Sequence, residues 1–216
     1  MKKCYIFGAL PVTAYHLNIT NDDYVIAADG GLKTLNELGI KPDLIVGDFD
    51  SLGKIPDGDN VIVHPVKKDD TDTMLAVKLA LEKGYKYINF YGCLGGRLDH
   101  TLASIQTAYF IANNNGIGVF HGDNEVLTVI DNKKIQFSAD ANGVISVFSL
   151  SPSSIVTENN LLYEINDTSL TADMPLGVSN EFIGKNARIS ITQGTTCVVW
   201  RDTNADFIIG ENNGSY

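Results

Sequence analysis

The sequence predicts two units: an α/β unit with a mostly parallel sheet, followed by an all-β sandwich or barrel. Two observations predict this fold class. Short apolar runs alternate with helix-forming stretches over roughly the first 120 residues. From about Gly118 onward, only short strand-like runs separated by turn residues remain, which is typical of a sandwich or barrel. We therefore expect an α/β domain over residues 1–131 and a β domain over residues 132–216.

The first unit is expected to hold buried parallel strands joined by helices. Strand-like apolar runs bounded by turn residues lie at 4–9, 24–28, 44–46, 61–66 and 87–91. Helices are predicted at 31–38, 71–83 and 98–112. The helix at 71–83 has the clearest signals, because Thr71 or Asp72 can cap its start and Gly84 follows its end.

From about Gly118 onward, the chain is predicted to form a series of short antiparallel strands. The strand-like runs are 119–120, 126–130, 134–137, 144–150, 154–157, 161–165, 187–192, 196–200 and 207–209. Ile189 and Ile191 alternate with polar residues, as expected of a half-buried strand. Gly194 is expected to form a hairpin between that strand and the next.

Composition excludes several classes of partner. The 216 residues carry a formal charge of −10, which argues against nucleic acid and against an anionic membrane surface. Cys4, Cys93 and Cys197 are far apart and form no Cys-x-x-Cys motif, so we expect reduced thiols and a cytoplasmic protein. Gly8 and Pro11 interrupt the apolar run near the amino terminus, which predicts a strand there and no membrane span.

Four polar clusters follow predicted strands. They are Ala-Asp-Gly-Gly at 28–31, Gly-Asp-Phe-Asp-Ser at 47–51, Lys-Asp-Asp-Thr-Asp at 68–72 and Gly-Gly-Arg-Leu-Asp-His at 95–100. In an open α/β sheet, ligands bind at the carboxyl ends of the strands. Carboxylates gathered there repel one another unless a hard cation joins them, and Mg²⁺ carrying substrate phosphates is the expected one. The clusters therefore predict an enzyme of Mg²⁺-nucleotide chemistry.

The two middle clusters supply most of the carboxylates. Asp48 and Asp50 point the same way in an extended strand end, which suits two ligands on one cation. The alternative is a turn in which Asp and Ser bind loop amides. In the cluster at 68–72, helix capping explains one or two carboxylates. The other carboxylates of this cluster lie beside two lysines. This arrangement favours a role for one carboxylate as a metal ligand or general base, and for one lysine in binding phosphate.

The cluster at 95–100 is a glycine loop that enters a helix. Paired glycines allow the backbone to approach an anion, and the helix N-terminus favours that anion. Arg97 adds a planar fork that matches phosphate oxygens. The alternative is a helix cap formed by Asp99 or His100 beside an ordinary surface arginine. Trp200, the only tryptophan, is either core or an aromatic wall for a flat cationic ring.

Taken in order, the four clusters resemble the motifs of the thiamine pyrophosphokinase family, which transfers pyrophosphate from ATP to thiamine. Residues 177–182, Gly-Val-Ser-Asn-Glu-Phe, are similar to the thiamine-side segment of that family. The resemblance implies an α/β catalytic domain and a β-sandwich thiamine-binding domain. It also implies a homodimer in which each active site combines the first domain of one subunit with the second domain of the other.

The resemblance also implies roles for individual residues. The Mg²⁺ ligands would be Asp48, Asp50 and Asp72, and Asp72 is also the candidate to accept the hydroxyl proton. Lys68 and Arg97 would stabilise charge on the transferred group. The nucleotide side would comprise Asp29, Gly30, Gly31, Ser51, Asp69, Thr71, Gly95, Gly96, Asp99 and His100. The thiamine side would comprise Ser179, Asn180 and Trp200. Ser104 and Met74 depart from the family pattern, which often has Asn and an acidic residue at these positions.

Two alternatives remain open at this point. One is a metal-dependent nucleotidyl- or glycosyltransferase that holds its nucleotide with Asp48 and Asp50. The other is a non-catalytic nucleotide- or vitamin-binding protein. The surplus of carboxylates argues against the second alternative, since binding alone does not require it.

Overall fold

The computed structural model describes residues 2–12, 17–48, 58, 60–63 and 70–212. The chain forms two compact units, 1–123 and 124–216. The α/β and all-β characters predicted for the two parts of the chain are confirmed. A domain boundary between residues 131 and 132 stays a prediction.

The first unit is a parallel sheet with helices between its strands. In chain order its elements are β1 (Lys3–Phe7), β2 (Tyr24–Ala28), α1 (Gly31–Glu37), β3 (Leu44–Gly47), β4 (Val61–Val63), α2 (Asp72–Glu82), β5 (Tyr87–Tyr91), α3 (Leu98–Asn113) and β6 (Ile117–His121). The strand order is β4-β3-β2-β1-β5-β6, and every neighbouring pair is parallel. The predicted parallel arrangement is therefore confirmed.

Burial explains why these strands could be recognised as continuous apolar runs. Every residue of β1 from Cys4 to Phe7 is at most 2% exposed, as expected for a central parallel strand. Helix α2 buries Ala76, Val77 and Ala80, and α1 buries Leu35. The small residues on α2 allow its axis to lie close to the neighbouring elements of the unit.

The second unit consists of antiparallel strands. Its elements are β7 (Val126–Asp131), β8 (Lys133–Phe137), β9 (Val144–Ser149), β10 (Ser153–Asn159), β11 (Ile165–Thr171), β12 (Asn180–Glu181), β13 (Ala187–Gln193), β14 (Thr195–Trp200) and β15 (Phe207–Glu211). Strands β12, β9, β14 and β7 are neighbours in that order, and β11, β10, β13, β8 and β15 form the second sheet.

An aromatic cluster lies in the core of the second unit. Phe137 on β8 contacts Trp200 on β14 edge to face, with ring centroids 5.2 Å apart. Phe182 and Phe207 also pack on Phe137, at 5.0 and 6.1 Å. Because these rings come from strands of both sheets, they hold the two layers of the sandwich together.

Two predictions for the second unit are wrong. Gly194 does not form a hairpin, because β13 pairs with β10 and β8 whereas β14 pairs with β7 and β9. The turn instead passes the chain from one sheet to the other. The strand predicted at 161–165 is also wrong, since β11 covers Ile165–Thr171 and Leu161 forms only an isolated bridge with Phe182.

None of the helices in the described part of the chain is both long enough and apolar enough to cross a membrane.

Candidate active site

A cleft of about 260 Å³ lies in the first unit at the carboxyl ends of β1, β2 and β5. The chain adds strands outward from β1 to β4 and then returns to place β5 on the other side of β1. The cleft is therefore at the topological switch point, where open α/β sheets bind ligands. Its lining is Gly8, Ala9, Leu10, Ala28, Asp29, Thr71, Asp72, Thr73, Gly92, Cys93, Arg97, His100, Ala103, Ser104 and Thr107.

The loops after β1 and β5 approach each other closely at the cleft. Gly8 N donates to Tyr91 O at 2.7 Å, and Leu10 N donates to Gly92 O at 3.0 Å. Gly92 has a φ of +67°, and a Cβ there would lie 2.5 Å from Leu10 O. Position 92 therefore requires glycine for both its backbone conformation and this contact. Sequence reasoning missed this pair, although Gly8 lies near the end of the strand predicted at 4–9 and Gly92 follows the strand predicted at 87–91.

Asp29 follows β2 directly and lines the cleft, and its role toward the nucleotide stays a prediction. Its φ is +49°, and its backbone N donates to Val46 O at 2.8 Å. The N-cap residue of α1 is Gly30, which has no side chain to form a capping hydrogen bond. A Cβ at Gly31 would overlap Phe7 O, which means that Gly31 lets α1 pack on the end of β1.

The start of α2 brings Thr71 and Asp72 to the cleft. Thr71 is the N-cap residue, and its Oγ1 accepts a hydrogen bond from Met74 N at 3.1 Å. This confirms one of the two predicted caps. Asp70 instead forms an ion pair with Lys78, with its carboxylate oxygens 2.8 and 2.6 Å from Nζ. One carboxylate of the cluster is therefore neutralised by the helix that follows it.

The start of α3 places Arg97 and His100 at the cleft. Arg97 Nε and Nη2 donate to Asp99 Oδ1 and Oδ2 at 3.1 and 2.6 Å, and both side chains are largely exposed. The hydrogen bonds from Arg97 lower the pKa of Asp99, and the same pairing raises the pKa of Arg97. Arg97 is the N-cap residue of α3 and its own side chain forms no capping hydrogen bond. Asp99, in the first turn, accepts a hydrogen bond from the backbone N of His100 through Oδ1, at 3.1 Å.

Gly95 and Gly96 precede α3 with φ values of +91° and +68°. A Cβ at Gly95 would meet nothing within 4 Å. The glycine loop predicted at the entry to α3 is therefore present, with Arg97 immediately after it. Its role toward phosphate stays a prediction.

Cys93 and Ser104 line the cleft and were not predicted to do so. Ser104 Oγ donates to Cys93 O at 2.5 Å, which holds the loop after β5 against α3. Burial raises the pKa of the Cys93 thiol to about 12, so the group is a neutral thiol and a poor nucleophile near pH 7. Ser104, which departs from the family pattern, thus has a local structural role in fixing this loop.

The predicted Mg²⁺ ligands are only partly within the described residues. Asp48 follows β3 and Asp72 opens α2, whereas Asp50 lies outside the described residues. Ser51, Lys68 and Asp69 also lie outside them. Among the residues that the structure does describe, no three His, Cys, Asp or Glu side chains form a metal-binding group. Asp48 and Asp72 nevertheless supply oxygen donors of the kind that Mg²⁺ prefers.

The predicted thiamine-side residues lie in the second unit. Ser179 is exposed, has a φ of +61° and donates its backbone N to Ser146 Oγ at 3.0 Å. Asn180 is 6% exposed and Trp200 is 1% exposed. Trp200 Nε1 has no hydrogen-bond partner among the described residues. Trp200 is thus part of the sandwich core in the single chain, and its role toward thiamine stays a prediction.

The fold defines a two-unit protein, in which an α/β unit with a ligand cleft at its topological switch point precedes an all-β unit. Residues 15–120 match the family model described as thiamin pyrophosphokinase, catalytic domain. Residues 132–196 match the model described as thiamin pyrophosphokinase, vitamin B1 binding domain. The chain belongs to the thiamine pyrophosphokinase family, whose members transfer pyrophosphate from ATP to thiamine.

Individual relatives agree with the family match. A thiamine pyrophosphokinase of Bacillus subtilis (strain 168) is 29% identical, over 81% of this chain and 85% of that protein. A crystal structure of thiamine pyrophosphokinase from Bacillus subtilis superposes with a TM-score of 0.82 at 25% identity, covering 93% of this chain and 99% of that one. Thiamin pyrophosphokinase from Candida albicans has a TM-score of 0.70 at 17% identity, over 93% and 89% of the two chains, which indicates a shared fold.

Proposed function

We propose that the cleft of the first unit binds Mg²⁺-ATP and that the chain transfers its pyrophosphate to the hydroxyl of thiamine, giving thiamine diphosphate and AMP. The observation that carries this proposal is the convergence of Asp29, Asp72, Arg97 and His100 on one cleft at the switch point. Family membership favours this reaction over a nucleotidyl- or glycosyltransferase and over a non-catalytic binding protein.

In the proposed reaction, the thiamine oxygen forms a bond to the β-phosphorus of ATP. The bond between that phosphorus and the bridging oxygen of AMP breaks, and its electron pair stays on the α-phosphate. Asp72 is placed at the start of α2, where its carboxylate can accept the hydroxyl proton. Arg97 at the start of α3 can stabilise the charge that builds on the phosphate oxygens.

Mg²⁺ would be held by Asp48 and Asp72, together with Asp50 from outside the described residues. When bound, the ion would neutralise the phosphates and act as a template for in-line transfer. A carboxylate bound to a metal is a weak base, so the two roles proposed for Asp72 compete. Lys68 is proposed to stabilise charge on the transferred group. Gly30, Gly31, Ser51, Asp69, Thr71, Gly95, Gly96, Asp99 and His100 are proposed for the nucleotide side.

The thiamine side is proposed to involve Ser179, Asn180 and Trp200 of the second unit. We further propose that the active enzyme is a homodimer with shared active sites. Each unit exposes large apolar side chains of the kind that a second copy would cover. In the first unit these include Leu98 and Leu102, 74% and 55% exposed on α3; in the second unit they include Leu162, Tyr163, Met174, Leu176 and Val178.

A cytoplasmic location is proposed from the cysteines. Cys4, Cys93 and Cys197 are all free thiols in the structure, and Cys4 and Cys197 are buried. Proteins of oxidising compartments more often pair their cysteines.

Incubation of the protein with ATP, Mg²⁺ and thiamine, followed by mass measurement of both products, tests the proposal. AMP and thiamine diphosphate in equal amounts are expected. Formation of ADP, or of a product that carries the nucleoside part of ATP, would assign a different transfer reaction. Thermal stabilisation by ATP and thiamine with no turnover would indicate a binding protein instead.

A further inference from the structure

Two buried polar side chains, Glu158 and Asn180, form a hydrogen bond one residue along the chain from the exposed Ser179. Asn180 Nδ2 donates to Glu158 Oε2 at 2.6 Å, and Glu158 is only 3% exposed. A glutamate is rarely buried to this extent unless its carboxyl group has a defined partner. Asn180 is that partner, and it lies in the segment 177–182 that the family resemblance places on the thiamine side.

The side chain of Asn180 has no hydrogen-bonding capacity left for a ligand. Its Oδ1 accepts from Tyr163 N and from Glu181 N, each at 2.9 Å. Its Nδ2 donates to Glu158 Oε2 and to Tyr163 O, at 2.6 and 2.7 Å. An asparagine amide has two donor hydrogens and two acceptor lone pairs, so all four positions are used.

These bonds join three segments of the second unit. They connect β10, through Glu158, to the chain at Tyr163 and to the short strand β12. Strand β12 is itself paired with β9, where Asn180 lies opposite Ile145. The position of residue 180 is therefore fixed from β10, from β9 and from the chain at Tyr163.

Ser179, the residue immediately before Asn180, has a backbone conformation that needs such support. Its φ of +61° is unfavourable for a residue with a Cβ, and its backbone N is held by Ser146 Oγ at 3.0 Å. Unlike Asn180, Ser179 is exposed. Within this pair of neighbours, the one that a ligand can reach is thus the serine, and the asparagine is the anchor.

We propose that Glu158 and Asn180 are a buried positioning pair, which holds Ser179 in its ligand-accessible conformation without contacting thiamine. The proposal rests on the proposed function and changes the role of Asn180 within it. Glu158 becomes a positioning residue for the thiamine side, although it lies 21 residues from Ser179 in the sequence.

The burial of Glu158 is also energetically unfavourable in one respect, and packing alone does not explain why it is tolerated. Its Oε1 is buried and has no hydrogen-bond partner among the described residues. A buried, unpartnered oxygen destabilises the folded state, and such local costs are expected where geometry serves function. The carboxyl group is retained at that site, where its other oxygen anchors Asn180.

The test compares three variants of Glu158 in the full-length protein. Glu158→Leu removes the acceptor, and Glu158→Asp withdraws it by one methylene. Both should raise the KM for thiamine about tenfold, which corresponds to the loss of one buried hydrogen bond. The kcat at saturating thiamine and the KM for ATP should change less than about threefold. Glu158→Gln should have the same KM for thiamine as the unmodified protein, because the glutamine amide oxygen can accept the hydrogen bond from Asn180.

Ser154→Ala is the matched control, since Ser154 lies on the same strand. Ser154 is fully buried, and its Oγ bonds Ser149 Oγ at 2.8 Å and Thr195 O at 3.1 Å, remote in sequence from segment 177–182. This variant should lower the free energy of unfolding and leave the KM for thiamine unchanged. Its stability loss provides the reference for a purely structural effect.

The outcomes separate this inference from the function on which it rests. If the unmodified protein makes no thiamine diphosphate, the proposed function fails. If the unmodified protein is active but Glu158→Asp and Glu158→Leu leave the KM for thiamine unchanged, as Ser154→Ala does, only the positioning pair is refuted. The positioning pair would also be refuted if Glu158→Gln folds but has a raised KM for thiamine like that of Glu158→Leu. If Glu158→Leu does not fold, Glu158→Asp and Glu158→Gln still decide the question.

Discussion

Both carboxylate oxygens of Asp70 lie within hydrogen-bonding distance of Lys78 Nζ, at 2.8 and 2.6 Å. Lys78 is on α2, and Asp70 precedes the N-cap residue of that helix. The ion pair therefore removes one negative charge from the segment that brings Asp72 to the cleft. The side chains are 42% and 31% exposed, so the pair contributes modestly to stability.

Replacing Lys78 by Met should weaken ATP binding. The carboxylate of Asp70 would lose its partner close to the cleft and would repel the phosphates of ATP. The KM for ATP should rise by up to about fivefold, since exposed ion pairs contribute at most about 1 kcal/mol. The double variant Asp70→Asn with Lys78→Met should return the KM toward its original value. The prediction is contradicted if steady-state kinetics give the double variant a KM for ATP as high as that of Lys78→Met alone.

Replacing Asp72 by Asn tests the two competing roles of this carboxylate. AMP release should fall steeply in either case, because Asn is neither a general base nor an anionic ligand. Raising the Mg²⁺ concentration should recover activity if Asp72 acts mainly as a ligand. If it acts mainly as the base, excess Mg²⁺ should have no effect. Turnover close to that of the unmodified enzyme would remove Asp72 from the mechanism.

Replacing Arg97 by Ala should lower kcat roughly 10²-fold, by analogy with the loss of one donor that stabilises transition-state charge. Arg188→Ala is a suitable control, because Arg188 is an exposed arginine of the second unit that bonds Asn159. Single-turnover measurement of AMP formation would distinguish a chemical defect from slow product release. Equal rates for the two variants would show that Arg97 does not act on the transferred group.

Gly92 and Gly39 provide a matched pair for the close approach at the cleft. Their φ values are +67° and +68°, but a Cβ at Gly39 would meet nothing within 4 Å, whereas one at Gly92 would lie 2.5 Å from Leu10 O. Gly39→Ala should cost about 1–2 kcal/mol of unfolding free energy from the backbone conformation alone. Gly92→Ala should cost more and should also weaken ATP binding. Urea unfolding measures the free energy of unfolding of both variants, and titration with ATP measures their affinity for the nucleotide. Equal losses of stability and of affinity in the two variants would contradict the prediction.

The features that could be predicted from sequence are mostly local. Strands β2 and β5 were expected at their observed bounds, because buried parallel strands are continuous apolar runs between turn residues. The Thr71 cap and Gly84, with a φ of +86°, follow from helix-end chemistry within a few residues. Strand β11 was misplaced because most of its residues are partly or fully exposed and polar, so it has no apolar run.

The features that could not be predicted depend on contacts between distant residues. The approach of Gly8 to Gly92 exists only once β1 and β5 are neighbours. Asp70 looked equivalent to Asp69 and Asp72 until α2 placed Lys78 beside it. In the same way, the motif Ser179-Asn180 does not reveal which residue is exposed, since that depends on the burial of Glu158 and Asn180 together.

Glu158 should make the stability of the second unit depend on pH. Burial raises the pKa of its carboxyl group above the ordinary value, and the hydrogen bond from Asn180 only partly opposes this. Between the ordinary pKa and the raised one, the folded state therefore binds more protons than the unfolded state. The free energy of unfolding must then fall as the pH rises through that window.

The Glu158→Gln variant lacks this titration but keeps an acceptor for Asn180. Its stability relative to the unmodified protein should therefore improve as the pH rises from below the ordinary glutamate pKa, and should level off once the buried carboxyl group is ionised. Urea unfolding of both proteins at a series of pH values measures the difference, in which titrations common to both cancel. Parallel stability curves across the window would show that Glu158 titrates as it does in the unfolded chain, and that its burial does not penalise the charged form.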